Sequence, residues 1–173
     1  MTREVTRNSA ARWLWWSLAV LIADRVTKSA VERYTDPSWH RQILSDFLVL
    51  VHSRNPGIAF GIFSSASSAW LSPMLLASSA ALIGLLVWML LSRRVEKAWA
   101  QFGIALIVGG AAGNALDRLL YGRVTDFIDV GVGVYRWPAF NVADAAISVG
   151  AGLVLIDLFF GEMSRSDSTR PVG

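Results

Sequence analysis

The sequence predicts an all-α integral membrane protein: four transmembrane helices, with a small extracytoplasmic β-structured cradle and loop between the first and second. Three observations carry that expectation. Hydrophobic residues make up 54% of the 173-residue chain and charged residues only 17%, where a soluble domain carries about 25% charge. Uncharged runs long enough to cross a bilayer recur. Ala69 to Leu91, for example, is 23 residues without a charge, which at about 1.5 Å rise per residue crosses a hydrocarbon core of about 30 Å. The eight Trp mostly fall near the ends of such runs, at the headgroup level that indole favours.

The length suits one membrane-embedded domain, residues 1–173, with no room for a separate soluble module. There is no Cys, so disulfides, thiol nucleophiles and Cys-ligated metals are excluded. Only His40 and His52 offer imidazole, so a His-rich metal site is excluded as well. A net charge of +3 and a pI near 9.8 raise nucleic acid as a partner. The basic residues are instead dispersed at segment ends, the membrane-protein pattern, so no nucleic-acid partner is expected.

The first span is placed over residues 13–33. A basic start (Arg3, Arg7, Arg12) and the apolar run Trp13 to Ala23 resemble a secretory signal peptide, but no clear small-x-small cleavage site follows. Asp24, Arg25 and Lys28 sit where the helix continues; we read it as a retained span with those charges facing protein. Residues 34–68 are mixed and placed outside the membrane: Leu44 to His52 reads as one or two short strands, and Asn55-Pro56-Gly57 is turn chemistry. The second span, 69–91, is followed by a basic loop with Arg93, Arg94 and Lys97, and the third span, 98–117, by a polar connection over 118–137. The fourth, 138–160, opens at Pro138 and carries Asp144 near its start. Four spans put both termini on one side, with eight Lys and Arg flanking the membrane there against five opposite. The positive-inside rule places that side in the cytoplasm.

On this topology the ionisable groups fall in one layer, the outer half of the membrane. Asn114, Asp117 and Arg118 lie at the outer end of the third helix, and Asn141 and Asp144 in the first outer turns of the fourth. Asp126 lies in the connection between them, and Asp24 and Lys28 share a face of the first helix, four residues apart. Gly109 with Gly113, and Ser148 with Gly152, form small-xxx-small pairs suited to close helix packing. Local spacing suggests structural ion pairs of Asp24 with Lys28, Asp117 with Arg118 and Asp126 with Arg123. Asp144 has no basic residue within seven positions, and a carboxyl with no counter-charge in apolar surroundings is costly to keep ionised. A neutral acid beside an ionised one, sharing a proton, is the arrangement that activates water in aspartic proteases. By position Asp126 is the foremost partner, with Asp129 and Asp117 as rivals. Spacing alone leaves such a pair level with a proton or ion pathway.

Four motifs in order resemble the lipoprotein signal peptidases (signal peptidase II). DRVTK, Asp24 to Lys28, is similar to that family's DQxTK, and RNPGIAFG, Arg54 to Gly61, to its RNxGxAF. GNALDRLLYGRVTDFID resembles GNxxDRxxxGxVxDF, and WPAFNVADAAI resembles FPxFNxADxxI. Arg25 stands where the family usually has Gln, and Trp137 where Phe is usual. The resemblance implies that the catalytic pair is Asp126 and Asp144, activating water between them. It implies that Asp24, Lys28, Asn55, Gly57, Asn114, Asp117, Arg118 and Asn141 support the site or bind substrate. Asn141 is expected to orient Asp144 from the same helical face, Asn114 and Arg118 to face the substrate backbone, and Arg118 also to hold Asp126 or a carbonyl.

The implied substrate is a prolipoprotein whose lipobox Cys already carries diacylglycerol, cut just before that Cys. Neither a metal nor an organic cofactor is implied. Membrane lipids are the other expected partner, a monomer suffices, and the implied location is the bacterial inner membrane with the site near its periplasmic face. The alternative, a small proton-coupled transporter or channel subunit, needs polar groups through the whole depth of the membrane. The inner half of the second and third spans offers almost none beyond Gln101.

Overall fold

The computed structural model describes residues 11–45, 47–56 and 71–167. Four helices carry most of the chain: α1 (Leu14–Tyr34), α2 (Leu71–Leu91), α3 (Ala98–Tyr121) and α4 (Val142–Asp167). A four-stranded antiparallel sheet lies at one end of them, with β1 (His40–Leu44), β2 (Leu48–Asn55), β3 (Val124–Val132) and β4 (Tyr135–Arg136) in that order. Among the described residues, three segments are long and apolar enough to cross a membrane: Ser72–Leu91, Ala98–Tyr121 and Val142–Phe159. The first helix is as long as α2 but carries Asp24, Arg25, Lys28, Glu32 and Arg33.

The helix α3 is central and packs against α1, α2 and α4. Small residues set those distances. A Cβ at Gly109 would stand 2.5 Å from the Ser17 carbonyl oxygen on α1, and one at Gly103 would stand 2.7 Å from that of Gly150 on α4. Backbones that approach this closely leave no room for a side chain, which is why small residues gather at such crossings. On α4 the approach is made by Ala143 and Gly150 rather than by the expected Ser148 and Gly152. Ser148 is exposed and bonds its own helix, and nothing stands within 4 Å of a Cβ at Gly152.

The apolar pattern of α1 is inverted relative to a soluble helix. Its buried residues are Ser17, Asp24 and Lys28, spaced seven and four apart on one face. Trp15, Trp16, Ile22 and Val26 are exposed on the others. Ser17 Oγ donates to the Ala105 carbonyl at 2.7 Å, so the buried polar face is engaged from its first turn. Leu90, Ile104 and Val108 form the apolar core, with Trp13, Leu14, Leu86 and Val154 packed on it.

The connection after α3 is not the irregular segment that its polarity suggests. The helix runs on to Tyr121 and ends in an αL cap at Gly122 (φ 67°), whose N–H donates to the Arg118 carbonyl at 3.0 Å. The chain then turns directly into β3, so the sheet draws strands from two connections instead of one. Antiparallel pairing with β2 sets Ser53 opposite Asp126 and Asn55 opposite Val124. On its other side β3 receives Phe140, which exchanges hydrogen bonds with Ile128 at 2.9 and 2.8 Å. That bridge fixes where α4 begins.

Candidate active site

Asn141 is the N-cap of α4, and Asp144 stands three residues on. The Asn141 side-chain oxygen accepts from the Asp144 N–H at 2.9 Å, and the Asp144 carboxylate accepts from the Asn141 N–H at 3.2 Å. This is a reciprocal capping box, with Asp in the place of the usual Glu. The Ala143 N–H between them donates to Asp24 Oδ1 at 2.9 Å, reaching across from α1. Three free donors of the first turn are thus taken up by two carboxylates and an amide, as the positive end of a helix favours.

The same Asn141 amide nitrogen reaches in the other direction. It donates to Asp126 Oδ1 at 2.7 Å, so a single side chain joins the two aspartates. Asp126 projects from β3 and is 3% exposed. Its second oxygen accepts from Asn55 Nδ2 on β2 at 3.2 Å. Asp144, partly buried, accepts a further bond from Asn114 Nδ2 on α3 at 2.8 Å. Burial, and next the nearby charge of Asp144, push the Asp126 carboxyl up from 3.8 to about 6, against the opposing pull of the two Asn donors.

A second layer holds the charges. Lys28 is fully buried, and its ammonium meets Asp24 at 2.8 Å, Asp117 at 3.0 Å and the Asn114 oxygen at 2.9 Å. Three partners suit the three hydrogens of an ammonium. Asn114 is thereby fixed in orientation: its oxygen faces Lys28, and its nitrogen faces Asp144. Asp117 also receives the Arg25 guanidinium at 2.5 Å and the Thr125 N–H at 3.4 Å. Arg25 turns its other end to Glu32 at 2.6 Å, and Glu32 accepts from Thr125 Oγ1 at 2.8 Å.

Two of the ion pairs expected from local spacing are replaced. Asp117 pairs with Lys28 and Arg25 instead of Arg118, because adjacent residues on a helix point about 100° apart. Asp126 is held by two asparagines instead of Arg123, the strand having carried its carboxylate inward. The Asp24–Lys28 pair forms. Arg118, half-buried, donates to the Asn114 carbonyl at 3.3 Å, and among the described residues it makes no ion pair. Asn114 faces Asp144 and Lys28. Gly57 lies outside the described residues, as does the rest of the loop after Pro56. The structure adds Arg25, Glu32 and Thr125 to the network. The spacing of Arg25, Lys28 and Glu32 on one helical stripe was the available signal for the first two.

The arrangement brings two carboxylates of unequal surroundings to one side chain, Asn141. Comparison with known proteins bears on the same residues. A family model described as Signal peptidase (SPase) II matches residues 16–160, a range containing every side chain named above. A lipoprotein signal peptidase of Solibacter usitatus is 41% identical over 150 residues, covering 85% of this chain and 91% of that protein. One of Psychromonas ingrahamii is 35% identical over 162 residues, covering 94% and 92%. Among solved structures, a bacterial membrane enzyme superposes with a TM-score of 0.79 at 26% identity, covering 94% of each chain.

Proposed function

This chain belongs to the signal peptidase II family, bacterial membrane proteases of prolipoprotein processing, and from that premise we propose that it is an aspartyl endopeptidase in which Asp126 and Asp144 activate a water between them. The observation that carries the reading is a contrast among buried carboxylates. Asp24 and Asp117 are each neutralised by a cation within 3.0 Å. Asp126 and Asp144 form no ion pair among the described residues and are held by neutral amides of Asn55, Asn114 and Asn141. Cations beside both would keep both ionised, whereas amide donors leave room for one proton to be shared.

In the proposed reaction the ionised aspartate takes a proton from water as it attacks the scissile carbonyl. The neutral one gives its proton to the carbonyl oxygen. The proton taken from water then passes to the leaving nitrogen, and collapse of the tetrahedral diol returns a hydroxyl proton to the pair. Asn141 holds both carboxylates at fixed separation, and Asn114 keeps Asp144 turned toward the pair, so that orientation is set before substrate arrives. The substrate is the precursor whose lipobox Cys carries diacylglycerol, cut on the N-terminal side of that Cys. In this reading α1 is a fourth span. Its Asp24, Arg25 and Lys28 face α3 and its Trp-rich faces meet lipid, with both termini cytoplasmic and the site near the periplasmic surface of the inner membrane. The acyl chains remain in the bilayer while the peptide crosses the site. A transmembrane proton relay is disfavoured: Asp24, Lys28, Asp117 and Asp144 gather in one cluster instead of forming rungs along the helices.

The test is release of signal peptide from a diacylglyceryl-modified precursor by the purified protein in lipid. Asp126→Asn and Asp144→Asn are each expected to lower turnover by at least about 10³-fold, general acid–base groups contributing on the order of 10²–10⁴. Wild-type turnover in either folded variant overturns the pair.

A further inference from the structure

Thr125 precedes Asp126 on β3 and points to the opposite side of the strand. Each of its polar groups is held by a different helix. Its N–H donates to Asp117 of α3 at 3.4 Å, its hydroxyl donates to Glu32 of α1 at 2.8 Å, and its carbonyl accepts from the Asn141 amide at 3.4 Å. The side chain is 4% exposed. Behind it, Arg25 uses all three of its nitrogens: Nε to Ser29 at 3.0 Å, Nη1 to Asp117 and Nη2 to Glu32. Its guanidinium also lies 5.3 Å from the centre of the Tyr121 ring.

We propose that Arg25, Glu32 and Thr125 form a clamp that positions Asp126 for catalysis by fixing the strand residue immediately before it. The inference rests on the reading of Asp126 as catalytic. None of the three touches the reacting groups; all are positioning residues. The guanidinium fork is what makes the clamp. It holds Asp117 and Glu32 at once, and these are the carboxylates that grip the Thr125 N–H and hydroxyl. A Gln amide at position 25 has one pair of donors on a shorter stem and cannot span both carboxylates. The carboxylate of Glu32, partnered on one oxygen by Arg25 and on the other by Thr125, transmits the position of α1 to β3. With the clamp released, β3 is still paired to β2, but the Thr125 side chain is no longer tied to α1. A shift of about 1 Å at a reacting group costs up to about 10²-fold in rate.

The experiment measures kcat and KM with diacylglyceryl-modified precursor, alongside thermal unfolding, for Thr125→Val, Thr125→Ser, Arg25→Gln and the double variant Arg25→Gln/Thr125→Val. Valine keeps the branched shape and removes the hydroxyl; serine restores the hydroxyl. The expected result is a fall in kcat of about tenfold or more in Thr125→Val, with KM within about twofold of wild type and recovery in Thr125→Ser. The double variant is expected to be no slower than the slower single one, because both lie on one chain of contacts. Wild-type kcat in folded Thr125→Val overturns the clamp, and so does a loss that serine does not recover. If Arg25→Gln fails to fold, the two Thr125 variants decide. Asp126→Asn runs as a separate arm. An active Asp126→Asn overturns the catalytic reading beneath the proposal, whereas an inactive one beside an unimpaired Thr125→Val overturns the clamp alone.

Discussion

Asn141 and Asp144 cap one helix end for each other, N–H to side chain in both directions, at 2.9 and 3.2 Å. The residue that starts α4 is therefore also the one that orients a candidate catalytic carboxylate. Asn141→Ala is expected to lower stability by about 1 kcal/mol, the worth of an N-cap. The same change removes the amide donor to Asp126 and the acceptor of the Asp144 N–H, and is expected to lower kcat by about 10²-fold or more. Thermal unfolding and turnover on the same preparation check both halves. A variant with lowered stability and intact turnover would show that the amide only caps.

Lys28 is the shared counter-ion of Asp24 and Asp117. Removing one member of such a buried group leaves an uncompensated charge and costs about 3–5 kcal/mol. Lys28→Met is expected to give little folded protein, and Lys28→Met/Asp24→Asn to recover part of the loss, since an Asn oxygen still accepts from the Ala143 N–H. Yields of monodisperse protein in detergent measure this. A single variant as stable as wild type would remove the triad from the account of stability.

Gly113 and Gly152 contrast a glycine at a close approach with one in open space. A Cβ at Gly113 would stand 2.6 Å from Asp24 Oδ2, whereas one at Gly152 meets nothing within 4 Å. Gly113→Ala is expected to push Asp24 away from Lys28 and to destabilise by about 1–3 kcal/mol. Gly152→Ala is expected to be neutral or to stabilise by up to about 1 kcal/mol through helix propensity. Equal effects of the two substitutions would contradict the packing described.

The raised carboxyl of Asp126 makes stability depend on pH. Because its value in the fold, about 6, exceeds the ordinary 3.8, the folded protein keeps a proton that the unfolded chain has already lost. Stability from this group is complete below about pH 4 and falls as pH rises through about 6, by about 3 kcal/mol in total. Asp126→Asn carries no such penalty. Its Tm is expected to exceed that of wild type at pH 7.5 and to converge with it near pH 4. A gap that instead widened toward acid would reverse the sign of the argument.

The apolar helices α2, α3 and α4 could be read from the sequence because length and hydropathy are enough in a bilayer. Asp24 and Lys28 could be paired in advance because four residues on a helix is one face. The strand β3 was hidden. Its first four residues, Val124 to Phe127, are all buried, and each face pairs an apolar residue with a polar one, so the alternation that marks a strand is missing there. Its partner β2 lies in a different connection, and nothing local to Thr125 or Asp126 reveals it. The same non-locality hid the partners of Asp117. Lys28 and Arg25 come from the first helix, about ninety residues earlier, while the adjacent Arg118 turned out to face elsewhere. The proposed catalytic pair became legible only through motifs, since hydropathy cannot distinguish a carboxylate that has found a cation from one that has not.

The pairing of Lys28 with Asp24 on one helix bears on the order in which the chain is made. With α1 read as the proposed fourth span, this helix emerges long before Asn114 and Asp117 exist, and a lone lysine entering a bilayer is costly. With Asp24 one turn away, at 2.8 Å in the finished protein, the helix brings its own counter-ion and can wait. The arrival of α3 then completes the shell around the ammonium, and α4 is capped on the far side of the same Asp24. Synthesis from the N-terminus thus delivers the internal neutralising pair first and the carboxylates of the proposed reaction last.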